Sequence, residues 1–273
     1  MTEIIKTLLF RLKKTTYFWI LLALALLLPV FGALLIYLSL KMGEALNEPI
    51  EQLMNQMLAQ YGGLSGLMSG FTSISSNPMI LSIIFASVFL SAEFKSGTVR
   101  NAIIAGKSRS QLYLSYYLVA LIGGFGIFVV YFLSAFVSMG LVFRFDATGN
   151  MVTELLYCFL LGLLAIVFVQ TLVCAFLFNT RSRVLTIVIP LIICILGPGI
   201  IATIVETVSV KDIIANGYID VYSLQYVPFY NTTLLAATKF STANVLMIIA
   251  YYVVFSSAIF CASYFPFHKA DLK

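Results

Sequence analysis

Ser91-Ala-Glu-Phe-Lys-Ser-Gly-Thr-Val-Arg-Asn-Ala-Ile-Ile-Ala-Gly-Lys-Ser-Arg-Ser-Gln111 is a charged island between two long apolar runs. The runs on either side set its context. Hydrophobic residues make up 61% of the 273-residue chain and charged residues only 10%. A soluble domain carries about 45–50% apolar and about 25% charged residues. A chain this apolar has lipid as its solvent, and its length suits one bundle of about six spanning helices, each about 20 residues long.

Six apolar stretches meet that length: Tyr17–Leu40, Thr72–Ala92, Leu112–Phe143, Val152–Phe178, Val184–Val205 and Asn244–Phe267. The start of the second, Thr72-Ser-Ile-Ser-Ser-Asn-Pro78, is polar and carries a helix-bending Pro, so it reads as a loop in preference to a cavity-lining outer turn. The third exceeds one bilayer crossing and is expected to project into the cytoplasm or to bend at Gly123-Gly124. Gly197-Pro-Gly199 marks a point where the fifth is expected to break. The fold class is therefore an all-α membrane protein forming one transmembrane domain over residues 1–273. Short extracellular or re-entrant helices are expected between the last two spans, where Tyr218, Tyr222, Tyr226, Phe229 and Tyr230 gather.

Basic residues orient the bundle, because cytoplasmic loops carry excess Lys and Arg. With the N-terminus inside, Lys6, Arg11, Lys13, Lys14, Lys95, Arg100, Lys107, Arg109, Arg181, Arg183, Lys269 and Lys273 all fall inside. Only Lys41, Arg144, Lys211 and Lys239 fall outside. Both termini are then cytoplasmic, in a multi-pass protein of the plasma membrane. The basic start precedes an apolar run too long for a signal core, so the first span is expected to be retained. The net charge of +5 sits at span ends and gives no reason to expect nucleic acid as a partner.

Two helices are expected outside the spans. In Thr2–Lys14, Ile4, Ile5, Leu8, Leu9 and Leu12 share one face and Lys6, Arg11, Lys13 and Lys14 lie mostly on the other. That pattern predicts an interfacial helix lying on membrane lipids, its basic side drawn to anionic headgroups. Asn47-Glu-Pro-Ile50 starts the second, with Ile50, Leu53, Met54, Met57 and Leu58 as its apolar stripe.

No ionisable residue lies in the middle of a proposed span, whereas ion-coupled transporters usually bury such groups. No HExxH, paired central Asp or Ser–His set supports an intramembrane enzyme. Cys158, Cys174, Cys194 and Cys261 lie in apolar runs as small hydrophobes, and neither a metal nor a cofactor is expected on this chain. The mid-span polar groups Gln170, Thr171, Ser134, Ser138, Ser256 and Ser257 read first as interhelical hydrogen-bond partners. Gln170, Thr171, Ser134 and Ser138 are also the residues that a substrate path would use.

Gly106-Lys107-Ser108 imitates the end of a phosphate-binding loop, but the motif requires Gly at the position of Asn101. The chain therefore does not bind ATP by that route, and uphill transport would need energy from elsewhere. The island itself reads as a short helix. Gly97-Thr98 stops the preceding span and offers a Thr cap, and Val99, Ala102 and Ile103 form a small apolar face on which a cytoplasmic partner would push. Gly106 then ends the helix, and Ser108-Arg-Ser-Gln111 is a capping box for the third span.

Glu93, Gly97-Thr98 and Arg109 ahead of a long span resemble the pattern of bacterial ABC exporter permeases of the type-2 family, with the type V exporter fold. The interfacial helix, six spans and extended outer region are similar as well. The resemblance implies that two six-span halves pair, as a homodimer in preference to a heterodimer. It also implies two copies of a separate ABC ATPase subunit holding ATP and Mg. Thr98–Ala105 would be the coupling helix, with Glu93, Thr98, Val99, Arg100, Ala102, Ile103 and Arg109 as the ATPase-coupling set. Where family members often carry a Lys after that Arg, this chain has Tyr116. The expected function is the membrane subunit of an ATP-driven exporter for an amphipathic peptide, lipid-like molecule or drug. An ion-coupled secondary transporter and a non-transport immunity or sensor protein are the alternatives.

Overall fold

The computed structural model describes residues 1–45, 49–61, 68, 71, 76–143, 151–180, 182–215 and 242–269. Among these residues every regular element is helical: α1 (Thr2–Lys14), α2 (Thr16–Ala45), α3 (Ile50–Tyr61), α4 (Asn77–Lys95), α5 (Thr98–Ile104), α6 (Arg109–Phe143), α7 (Met151–Thr180), α8 (Arg183–Ala215) and α9 (Thr242–Lys269). Helices satisfy backbone polar groups within the segment, which is what a hydrocarbon environment demands. Six of them (α2, α4, α6, α7, α8 and α9) are long and apolar enough to cross a membrane.

The six divide into two shells. Helices α4, α6 and α7 pack on one another and form the centre. Each outer helix then lies along one groove of that trio: α2 between α4 and α6, α8 between α4 and α7, α9 between α6 and α7. The most apolar stretch is 67% buried in α4 and α7 but 17% buried in α8 and α9. Lipid or a second chain therefore has to cover much of the outer shell.

Small residues set the spacing inside the trio, as is general between membrane helices. A Cβ on Gly123 would collide with the Phe85 ring, and one on Gly162 with the Phe128 ring. A Cβ on Gly124 would stand 2.7 Å from Gln170 Nε2 and 2.8 Å from Ser82 Oγ. The Gly123-Gly124 pair thus admits neighbouring side chains, and α6 is one continuous helix through it.

Other expectations also shift. Helix α4 begins at Asn77 with Pro78 in its first turn and extends to Lys95, so the second span lies later than Thr72–Ala92. Pro78 starts this helix instead of bending it, because the first-turn N–H groups lack helical partners anyway. Residues 72–75, which carried the loop reading, lie outside the described residues. Helix α8 continues through Pro190 and Pro198 to Ala215, so Gly197-Pro-Gly199 does not end it. Hydrocarbon favours continued helix over exposed backbone, which is why proline is tolerated there. Helix α3 starts directly after Pro49, whose carbonyl accepts from Gln52 N at 3.0 Å. Its Met54 packs with Ala33, Met139 and Phe143. The short helices expected between the last two spans fall mostly on residues 216–241, outside the described residues.

Candidate coupling site

At one end of the trio α4 ends at Lys95 and α5 follows almost at once. Gly97 takes φ +72°, a left-handed conformation that reverses the chain with no β-carbon to strain. Its carbonyl accepts the first helical bond from Asn101 N at 2.9 Å. Gly97, and not Thr98, is the N-cap residue. The Thr98 hydroxyl pairs with Ser96 Oγ at 2.7 Å, so it is committed within the turn. At the far end Gly106 is also left-handed, at φ +82°. Lys107 N donates to Ala102 O at 3.1 Å and Gly106 N to Ile103 O at 3.0 Å, the paired bonds of a Schellman ending. Ser108 Oγ then accepts from Gln111 N at 3.3 Å and starts α6. The result is a two-turn helix hung between two spans on left-handed glycines.

The sides of α5 are not as expected for a partner-facing apolar stripe. Val99 is buried in the bundle core, and Ala102 and Ile103 pack against that core. A short helix with few apolar residues holds its place only by turning them inward. The outer side carries Arg100, Asn101 and Ile104, and Ile104 is 74% exposed. Ile104 was absent from the sequence-based set. The signal that could have found it is its angular position: at about 100° per residue, Ile104 lies about 140° from Val99, off the face that Val99, Ala102 and Ile103 share.

At this end of the trio the ends of four helices meet in an aromatic knot. Phe178, near the end of α7, lies 5.2 Å from Phe94 of α4, 4.6 Å from Tyr113 of α6 and 4.7 Å from Phe267 of α9, centroid to centroid. Tyr113 OH pairs with Ser263 Oγ at 2.5 Å and Tyr264 OH donates to Ser110 Oγ at 2.7 Å. The knot thereby ties the ends of four spans together.

Glu93, in the last turn of α4, is buried and forms an ion pair with Arg11 at 2.7 Å. Arg11 belongs to α1, so the basic tail supplies the partner of the buried acid. Arg109, which the resemblance groups with Glu93 in the coupling set, opens α6. A second pair links α1 to the far side of α5, with Lys107 Nζ 3.7 Å from Glu3 Oε2. Helix α1 itself lies against the bundle, with Leu8 and Leu12 buried in the core and Ile4, Ile5 and Leu9 packed on it. The apolar face expected to dip into lipid therefore packs on protein, which offers complementary apolar surface at the ends of the spans.

The residues considered for a substrate path are distributed through the bundle. Gln170 and Thr171 are fully buried. Gln170 Nε2 bonds to Ser82 of α4, and Thr171 Oγ1 pairs with Tyr117 OH at 2.9 Å. Ser134 Oγ donates to Leu26 O at 2.6 Å and fastens α2 to α6, and Ser138 bonds within its own helix. A separate cavity of ≈ 370 Å³ opens between α6, α7 and α9, with Tyr117, Tyr252, Ser256, Ser257 and Phe260 in its wall. Ser256 and Ser257 were read from sequence first as helix-bridging groups.

Among the described residues no group of three or more His, Cys, Asp or Glu is placed to hold a metal. The family model for the ABC-2 family transporter protein matches residues 4–197, a span that includes most of α1, the first four membrane helices and all of α5. The chain belongs to the ABC-2 transporter family. It is a multi-pass membrane protein and a permease of an ABC transporter, a kind of subunit that generally works with an ATPase. No curated protein and no solved structure matches this ABC-2 chain.

Proposed function

We propose that this ABC-2 permease is the membrane subunit of an ATP-driven exporter, with α5 as the contact for a separate ATPase. The observation that carries the proposal is the outer side of α5. An isoleucine 74% exposed stands beside Arg100 and Asn101 on a polar loop, outside any membrane span. The hydrocarbon core of the bilayer does not cover a residue outside the spans, whereas the apolar groove of a cytoplasmic partner would. The buried side of the same helix, through Val99, would carry the load to the bundle.

Two permease copies and two ATPase copies form the working unit in this reading, with ATP and Mg on the ATPases. In this reading the loop bearing α5 is cytoplasmic, which the distribution of basic residues supports. Closure of the ATPases displaces α5 and Glu93 together, and the aromatic knot passes the movement to α4, α6, α7 and α9. The cargo class that suits a path with few charges is an amphipathic peptide, a lipid-like molecule or a drug. Glu93 is the only charged residue buried among the described ones and it is already paired, which disfavours an ion-coupled mechanism.

Affinity purification of the tagged permease from its native membrane tests the partner. A nucleotide-binding protein should co-purify in equal amount, and its ATPase activity should rise with one class of cargo. If no such protein is recovered under mild detergent, the exporter reading fails.

A further inference from the structure

With Leu8 and Leu12 turned into the bundle, the opposite side of α1 presents Lys6, Phe10, Lys13 and Lys14 to the surroundings. Phe10 is 59% exposed, and the Lys14 ammonium lies 4.5 Å from the centre of its ring. These positions repeat at helical spacing along one side, so three lysines share a face with one exposed aromatic ring. Trp19, also exposed, follows at the start of α2, and its indole N–H donates to Lys13 O at 2.9 Å. Aromatic rings belong at the boundary of lipid and water, and each lysine near an anionic bilayer surface is attracted to it.

We infer that this side of α1 is a binding surface for anionic phospholipid headgroups, and that lipid charge governs how firmly α5 is held. Charge complementarity identifies the occupant: lysines for phosphate and acidic headgroups, Phe10 for the upper acyl region. The consequence for α5 follows from two contacts already described. Arg11 of α1 pairs with Glu93 ahead of α5, and Glu3 of α1 pairs with Lys107 behind it. Helix α1 is thus a strap across the coupling segment, tied at both sides. A lipid that fixes the outer side of α1 restrains the segment beneath it. The regulatory half of this inference rests on α5 being the coupling helix; the lipid half does not.

The full-length permease can be tested alone, in vesicles of phosphatidylcholine mixed with phosphatidylglycerol. Trp19 is the only tryptophan in the chain, so its fluorescence reports the junction of α1 and α2. Brominated phosphatidylglycerol should quench Trp19 severalfold more than brominated phosphatidylcholine at equal content. Lys6→Gln, Lys13→Gln and Lys14→Gln together, or high salt, should abolish the difference. Equal quenching by the two lipids overturns the site, as does a difference that survives the triple substitution. Loss of ATPase co-purification by the triple variant together with equal quenching would assign the surface to the protein partner instead. Hydrogen exchange of residues 98–104 tests the strap. Those amides should exchange more slowly in anionic vesicles, and Glu93→Gln should remove that dependence while the Trp19 preference remains. Exchange indifferent to lipid charge in the unaltered protein overturns the regulatory half, and neither readout needs the ATPase.

Discussion

The middle of the trio and its coupling end are both built around glycine, but for opposite reasons. Gly123, Gly124 and Gly162 lie where a neighbouring side chain fills the space of a Cβ. Gly97 and Gly106 have nothing within 4 Å of that position; there the left-handed backbone needs them. The first arrangement makes a close-packed body. The second makes a joint, in which a rigid two-turn helix is suspended on two reversals of the chain. A transporter that converts an external push into span movement needs both, with the joint on the outside.

The largest expected effect comes from breaking the packed side of this comparison. Gly123→Leu drives a branched side chain into Phe85 and should cost about 3 kcal/mol or more. Size-exclusion chromatography in detergent should show loss of the monodisperse peak. Arg11→Ala, at the joint, leaves the Glu93 carboxylate buried without its cation and should cost about 2 kcal/mol in thermal unfolding. Arg11→Ala/Glu93→Ala should cost less than the sum of the two single changes, since the second removes the group the first left unpaired. Gly97→Ala should cost about 1 kcal/mol, the conformational penalty alone, because no atom stands in the way. The smallest effect is Ser134→Ala, which removes one bond between α6 and α2 and should cost about 0.6 kcal/mol. If Gly97→Ala proves as damaging as Gly123→Leu, the distinction between joint and packed body is lost.

Much of the fold was legible because the membrane imposes simple rules. Span length, helix α1 and the start of α3 at Ile50 follow from apolar runs, face periodicity and Pro49. The ending of α5 at Gly106 and the Ser108 cap were likewise local chemistry. The departures have a common cause. Whether Val99 and Ile103 face the bundle or a partner, whether Leu8 and Leu12 face lipid or protein, and which cation meets Glu93 all depend on what the third dimension brings near. Arg11 stands 82 positions from Glu93, and no periodicity connects them. Pro198 misled for a different reason: its effect in water was carried over to lipid, where leaving the helix costs more than keeping a proline within it.

The account turns on the outer side of α5. The most direct measurement is ATP hydrolysis and subunit content of the co-purified complex carrying Ile104→Asp, beside the unaltered complex. Because Ile104 is exposed, the permease should keep its chromatographic profile and thermal stability. The account predicts loss of the ATPase subunit, or at least tenfold weaker cargo-stimulated turnover if a buried carboxylate at the contact costs more than about 1.4 kcal/mol. Unchanged subunit content and turnover in Ile104→Asp would contradict it.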